Sequence, residues 1–583
     1  MTQVLRRIAR RIRRVLGPAP PVVPTHPEGA GGAEGPAYGV VWGEHTIPDR
    51  IEAGLTVGVR VSLRNAGSLV WMPHPGDGHP VDVAVFVDDV LYSLLNLPRP
   101  EVRSGEGVTL HFAFRGPSGE GPHRVRVEPV HQHVAWFAAR GAAPLAVDIT
   151  VTAATPSENT EPFAIALRHN PWYYQPTQGI SRSRDGRAFP LFITQARGCR
   201  KRDAEGREYV DYTMGWGAAL LGHAEERVQA AVRAMLETGS LTPLPHPCEM
   251  EVTRALLEDF PGSEMALFGK NGSDVCTVAA RMARLVTGRR VILSCGFHGW
   301  QDFALDEFGF EHSGIPERPG RVLHKFRFND REDFLRLYSE HRHELAAVMI
   351  EPSGPAGPPE TGLEPDADPG FLRLLADSAR EAGALLVFDE IITGFRYRGG
   401  SVQRATGVVP DLTCLGKALA SGFPLAALLG SGRVFFEAFP RTHYCPTFKA
   451  EVYSFAAARA ALRIYREEPV AEHVWAHGEE LRAGIDALCR QLGVAAECKG
   501  PPFRMGLHFR PREPQQARLQ RTLYMQELLK EGVITVTGIM LPSYAHDAEA
   551  LRQTLSAIGS ALEVVATAAR TGDYDRHIEI PLL

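Results

Sequence analysis

Lys417 lies in the segment Thr413-Cys414-Leu415-Gly416-Lys417-Ala418, downstream of the run Leu385-Leu386-Val387-Phe388 that closes on Asp389-Glu390. A lysine amine on a glycine-flanked turn can hold a carbonyl as an imine and later carry protons. An acid ending a buried apolar run can keep a heteroaromatic nitrogen protonated. These are two halves of a pyridoxal phosphate site, if a phosphate cradle and a ring-stacking side chain accompany them. Taken singly, a lysine reads as solvated and a carboxylate as exposed or paired. Asp389 follows apolar residues and so reads instead as a buried acid with a specific cationic partner, with Ile391 placed to pack on the other face of a ring. Gly416 before Lys417 and Gly422-Phe423-Pro424 after it mark a constrained turn rather than a surface helix.

Both companions occur earlier in the chain. Lys270-Asn271-Gly272-Ser273-Asp274 precedes a helical pattern over 275–286, which puts Gly272 and Ser273 at a helix amino terminus. Free backbone donors and the helix dipole make such a place an anion site, although the same residues would also serve as an ordinary cap. Cys295-Gly296-Phe297-His298-Gly299-Trp300 directly follows a strand pattern over 291–294. Its glycines let the backbone approach a ligand, and Phe297 can lay its ring on a flat cofactor. Read alone, an aromatic after a strand is core.

These residues need elements to position them. At 583 residues the chain exceeds one ordinary core, so two or three domains are expected. Apolar content of 44% and charged content of 22% are globular values. The formal charge of -5 argues against a general nucleic-acid binder, which must neutralise many phosphates. Eight scattered cysteines without a CxxC pair suit reduced thiols better than a disulfide framework or a zinc site, so no metal is expected. No apolar run has the length of a membrane span. The expected location is the cytoplasm, with a peripheral position at the inner membrane surface as the open alternative.

That alternative comes from residues 1–16, where Val4, Leu5, Ile8, Ile12, Val15 and Leu16 fall at helical spacing among six arginines before Gly17-Pro18. The pattern predicts a basic amphipathic helix that lies on an anionic membrane surface or docks on a partner. Residues 17–37 form a Pro/Gly/Ala-rich linker. Over 38–153 the period becomes two: Leu55, Val57, Val59, Val61 and Leu63 alternate with polar residues, as do Val108, Leu110, Phe112 and Phe114. The turn Asn65-Ala66-Gly67-Ser68 leads to Trp71, and Trp136-Phe137 precedes a further strand. This predicts an antiparallel β-sandwich that resembles immunoglobulin-like accessory domains beside bacterial carbohydrate enzymes, with aromatics in its core and a glycan or protein as partner. After a second linker at 154–169, apolar runs alternate with helical patterns up to residue 583. That alternation predicts an α/β region with a mostly parallel central sheet covered on both faces, whose ligands gather beyond the carboxyl ends of the strands.

From about Asn170 onward the chain resembles class III, fold type I pyridoxal phosphate aminotransferases, most closely the glutamate-1-semialdehyde aminomutase branch. The matching segments are Asp211-Tyr212-Thr213-Met214-Gly215-Trp216-Gly217 with Leu221-Gly222-His223-Ala224, Phe388-Asp389-Glu390 through Gly394-Phe395-Arg396, and Pro410-Asp411-Leu412 leading to Gly416-Lys417. The resemblance implies a large domain at about 225–450 and a smaller α+β domain from 170–224 and 451–583. It implies that Lys417 forms the imine with the cofactor, Asp389 pairs with the ring nitrogen, Phe297 stacks, and Gly272 and Ser273 hold the phosphate. Thr447 would reach the phosphate of a neighbouring subunit, making a homodimer with shared sites. Trp216, Glu249, His298 and Glu351 match recurrent positions near cofactor or substrate.

Amine and carbonyl compounds are the implied substrates, and the cofactor residues serve a transaminase, an aminomutase and a racemase alike. Where the aminomutase branch has a Gly-Val-Asn-Ser-Pro-Val-Arg type segment, this chain reads Gly179-Ile180-Ser181-Arg182-Ser183-Arg184-Asp185. An aspartate at the arginine position favours an aminotransferase with another substrate. Arg182, Arg184 and Arg504 remain as candidates for binding an acid. An inactive scaffold built on the sandwich is the reading from a different class, and intact Lys417, Asp389, Gly272 and Ser273 argue against it.

If residues 1–16 lie on membranes, the full chain co-sediments with anionic vesicles and is released by salt, each basic residue adding about 1 kcal/mol. Equal binding by a chain starting at Gly17 removes the idea.

Overall fold

The computed structural model describes residues 37–578 apart from 54–55, 73–79, 98–100, 118, 132–133, 154–180, 183–187, 190–192, 240–243, 306–313, 316–321, 356–362, 512, 514 and 536–537. The amphipathic pattern at 1–16, the second linker and Arg184 therefore lie outside the described residues. The chain divides into two units, one of residues 1–190, 515–522 and 573–583, the other of 191–514 and 523–572.

The β-rich amino-terminal region follows from the alternating pattern. Val40–His45, Thr56–Asn65 and Gly107–Arg115 form one antiparallel sheet. A second sheet runs Arg50–Glu52, Leu145–Thr152, Gly121–His131, Val81–Val87, Val90–Asn96, with its first pair parallel and the others antiparallel. Val59, Val61 and Leu63 from one sheet and Val83, Val85, Val125 and Val127 from the other share one apolar core. The turn after the long strand is fixed by buried Asn65, whose side-chain oxygen accepts from the Gly67 amide at 3.0 Å. Its Nδ2 donates to the carbonyls of Leu69 and Val102 at 2.7 and 3.0 Å. Trp71 and Phe137 meet edge to face, 5.7 Å between centroids, and both are fully buried, so the expectation of core aromatics holds.

In the second unit the central sheet has seven strands in the order Met265–Gly269, Ala426–Gly430, Leu412–Leu415, Leu385–Asp389, Leu345–Ile350, Val291–Cys295, Leu323–Lys325. Ala426–Gly430 pairs antiparallel with both its neighbours, and the other pairs are parallel. The continuous apolar runs in the sequence follow from burial on both faces. Val348, Ile350, Leu386 and Phe388 enter one core with the helix Pro369–Ala382, while Ala347, Met349, Leu385 and Val387 enter another with the helix Gly272–Thr287.

The remaining residues of this unit form two small sheets. Ile193–Arg197, Arg200–Asp203, Glu208–Asp211 and Val533–Ile534 make one; Ala496–Lys499, Met505–Phe509 and Ile539–Met540 make the other. The long helices Val470–Leu492 and Ala548–Thr571 pack on each other. Among the described residues no helix is long and apolar enough to cross a membrane, no three potential ligands gather for a metal, and all eight cysteines are free.

Trp71→Ala should destabilise the amino-terminal region by about 3–5 kcal/mol, the usual loss for a buried tryptophan truncated in a core. Urea unfolding followed by circular dichroism would show it as an earlier transition; an unchanged midpoint would place Trp71 outside the core.

Candidate active site

Strand ends deliver the site. Lys270 follows Met265–Gly269, Gly296 to His298 follow Val291–Cys295, and Glu351 follows Leu345–Ile350. Asp389 ends its own strand, and Gly416 and Lys417 follow Leu412–Leu415. All five strands run the same way, so these loops share the carboxyl edge of one sheet.

Asp389 is only 2% exposed. His298 Nδ1 donates to its Oδ2 at 2.8 Å, the Cys276 thiol reaches the same oxygen at 3.5 Å, and the Ile391 amide donates to Oδ1 at 3.1 Å. A carboxylate offers about four acceptor positions, so these donors orient the group and leave it capacity for one more. Burial pushes the Cys276 thiol well up, with a contribution from the neighbouring Cys414 and Asp389, so it stays a donor. His298 is buried and its Nε2 has no partner among the described residues.

Lys417 opens a short 3₁₀ turn, Lys417–Ala420, with φ of +43°, a strained conformation for a residue with a side chain. The turn expected from Gly416 is thus present, and the next strand over places Asp389 opposite Cys414. Burial and the Arg504 charge push the Lys417 ammonium down from 10.5 to about 8, Arg396 adding to the effect. Glu351 and Asp389 pull the other way.

Gly272 begins the helix Gly272–Thr287, as the sequence predicts, and Asn271 caps it. Asp274 Oδ2 accepts from the Asn271 amide at 3.1 Å, while the first helical amides, those of Gly272 and Ser273, have no intrahelical acceptor. A Cβ at Gly272 would stand 2.5 Å from Ile391 Cδ1. Only glycine lets Ile391 lie against the helix start, and a Cβ at Gly416 would stand 3.5 Å from Ile391 Cγ2.

Phe297 is 61% exposed, so its ring is not core. Its amide donates to Glu351 Oε1 at 2.8 Å, and the other carboxyl oxygen accepts from Arg504 Nη1 at 2.8 Å. Burial pushes the Glu351 carboxyl up, but the Arg504 guanidinium and the Phe297 amide outweigh it and hold the group below its ordinary value. Arg504, a candidate for acid binding, is thus already paired with a buried carboxylate. Trp216 is 47% exposed on a turn packed against Lys417–Ala420. Glu249 is half-buried, and burial raises its carboxyl. Thr447 is exposed on a short 3₁₀ turn, Thr447–Ala450, beside exposed Phe448. Arg182 belongs to the first unit, in a two-residue strand paired with Ala188–Phe189.

Sequence reasoning missed Cys276 and Arg396. The Cys276 thiol lies one turn into the helix behind Gly272, a position readable only once the helix is placed. Arg396 is fully buried, and a charged residue gives no periodic signal for burial.

A model of the aminotransferase class-III family matches residues 181–562. The 3-aminobutyryl-CoA aminotransferase of Cloacimonas acidaminovorans is 29% identical, the alignment covering 65% of this chain and 90% of that protein. The glutamate-1-semialdehyde 2,1-aminomutase of Methanothermobacter thermautotrophicus is 31% identical, covering 63% of this chain and 91% of that protein. Among solved structures, the pyridoxal phosphate internal aldimine form of the FumI protein of Sphingopyxis sp. MTA144 superposes with a TM-score of 0.58. It is 28% identical and covers 65% of this chain and 90% of that one.

A neutral amine attacks an aldehyde and an ammonium does not. With Lys417 near 8, capture of pyridoxal phosphate by the cofactor-free chain should accelerate as pH rises through about 8 and level off by about 9. Stopped-flow absorbance would check this; a profile still climbing at pH 10 would mean an ordinary exposed lysine.

Proposed function

The chain belongs to the class-III aminotransferase family, and on that premise we propose a residue-level account of its activity. It is an aminotransferase with pyridoxal phosphate as its cofactor, acting on small amine and carbonyl compounds. The residues fit that cofactor at the helix start. The backbone is bare at Gly272, where any Cβ would collide with Ile391, and the first two amides there lack internal acceptors. When bound, pyridoxal phosphate supplies an aldehyde that accepts an amino group and a conjugated ring that takes up the electron pair of a broken C–H bond.

In this account Gly272 and Ser273 would hold the phosphate with backbone donors and the Ser273 hydroxyl. Asp389 would accept a hydrogen bond from a protonated ring nitrogen, with His298 and Cys276 fixing the orientation of the carboxylate. Ile391 and Phe297 would flank the ring, and Lys417 Nζ would hold the cofactor through its aldehyde. With cofactor and amine bound, Lys417 Nζ would be the base that takes the proton from the amine-bearing carbon of the substrate and the acid that returns it. Its depressed basicity suits that work near neutral pH. Glu351 and Trp216 stand on the substrate side. The observation that carries the account is the amine of Lys417 and the buried carboxylate of Asp389 at neighbouring strand ends, within electrostatic reach of each other.

Exposed Phe448 next to Thr447 supports a homodimer in which Thr447 reaches the neighbouring subunit's phosphate. The two sheets around Trp71 support an immunoglobulin-like sandwich at the amino terminus. The second reading is an intramolecular aminomutase, favoured by the 31% identity to such an enzyme. Asp185 in place of an arginine weighs against it.

The deciding experiment mixes the yellow enzyme with single amines and identifies the carbonyl product by mass. A transaminase bleaches and releases that product without a second substrate; an aminomutase returns an isomer of the compound supplied. Lys417→Ala should cut turnover by more than about 10³-fold while still binding cofactor, and retained turnover sinks the account.

A further inference from the structure

Four consecutive residues, Met214 to Gly217, have left-handed backbones, with φ of +43°, +60°, +58° and +83°. Two of them are not glycine, so the turn is costly and persists only where its surroundings over-determine it. Buried Asp211 holds the front. Its Oδ1 accepts from the Thr213 amide and hydroxyl at 2.9 and 2.6 Å, and its Oδ2 from the Met214 amide at 3.2 Å. Asp211 is itself fixed by Lys201 at 3.0 Å and His223 at 2.8 Å.

Arg396 holds the back. Its Nη2 donates to the Gly217 carbonyl and its Nη1 to the Ile392 carbonyl at 3.1 Å. The side chain is 0% exposed, pairs with no carboxylate among the described residues, and leaves Nε without a partner. Burial pushes the guanidinium down to about 10. A buried arginine without a counter-ion is destabilising, so a purely structural use of this position would be served better by an apolar residue. What the guanidinium provides is a rigid fork joining two backbones. One is the segment Asp389 to Arg396, which also carries Ile391 at the helix start. The other is the turn bearing Trp216, which packs against Lys417–Ala420.

We propose that Arg396 is a positioning residue for substrate selection, locking the Trp216 turn to the cofactor segment so that the indole forms a wall for the non-reacting part of the amine. The class of donor favoured is one with an aryl or similarly flat apolar group beside the amine-bearing carbon, which packs on an indole face. The inference rests on the aminotransferase reading, since Trp216 selects nothing without an amine substrate.

Emission from Trp216, isolated as the difference between the enzyme and its Trp216→Phe variant, should be quenched as pyridoxal phosphate is titrated in. In Arg396→Met that quenching should fall by about half or more with cofactor affinity within about threefold. KM for 1-phenylethylamine should rise about tenfold, against less than about threefold for isopropylamine, in each case with little change in kcat. Gly217→Ala, whose Cβ would stand 3.2 Å from Arg396 Nη2, perturbs the same joint from the other side and serves if Arg396→Met does not fold. Unchanged quenching in a folded variant overturns the proposal, and so does a parallel loss of cofactor affinity and of both amines. The emission readout decides even where neither amine reacts. A wild-type enzyme that stays colourless with pyridoxal phosphate would instead mark failure of the aminotransferase reading itself.

Discussion

The site depends on a carboxylate kept out of water. Asp389 is buried where its strand ends, and such a group is tolerated only when donors meet it. Three do so from three different elements: a histidine after one strand, a thiol on the helix Gly272–Thr287, and a backbone amide of its own loop. Their joint geometry aims the carboxylate. Because they come from separate elements, that aim is fixed only when the sheet and the helix are both in place. The same arrangement explains why Lys417 is a weaker base than usual, since its turn is drawn into the same dry edge with two arginines nearby.

Much of this could be read from residue order. The runs ending at Asp389 and Cys295 are strands because residues buried on both faces of a sheet leave no polar alternation. The strands of the amino-terminal region were equally legible, because one-sided burial writes its period directly into the sequence. The start of a helix at Gly272 is legible through the pattern that follows it. The place of Phe297 after a strand is legible too, whereas the sequence leaves open whether its ring is core, and its exposure shows that it is not.

What stayed hidden is long-range. Glu351 and Arg504 are each legible as candidates, but nothing local couples them; their pairing shows only once the small sheet brings Arg504 over. The left-handed turn at Met214 to Gly217 has glycines that hint at it, but Trp216 and Met214 carry no propensity for that conformation. Their strain is visible only against its two anchors. Arg396 is the clearest case: its type predicts solvent, and only the carbonyls it reaches show why it is inside.

One consequence concerns how the enzyme comes into being. In the seven-stranded sheet, Met265–Gly269 has Ala426–Gly430 as its sole neighbour, and five other strands intervene in the chain. The helix Gly272–Thr287 follows directly on that first strand, so on a ribosome it emerges long before the strand's partner exists. The carboxyl edge that carries Asp389 and Lys417 is therefore completed only by the later segments of the chain.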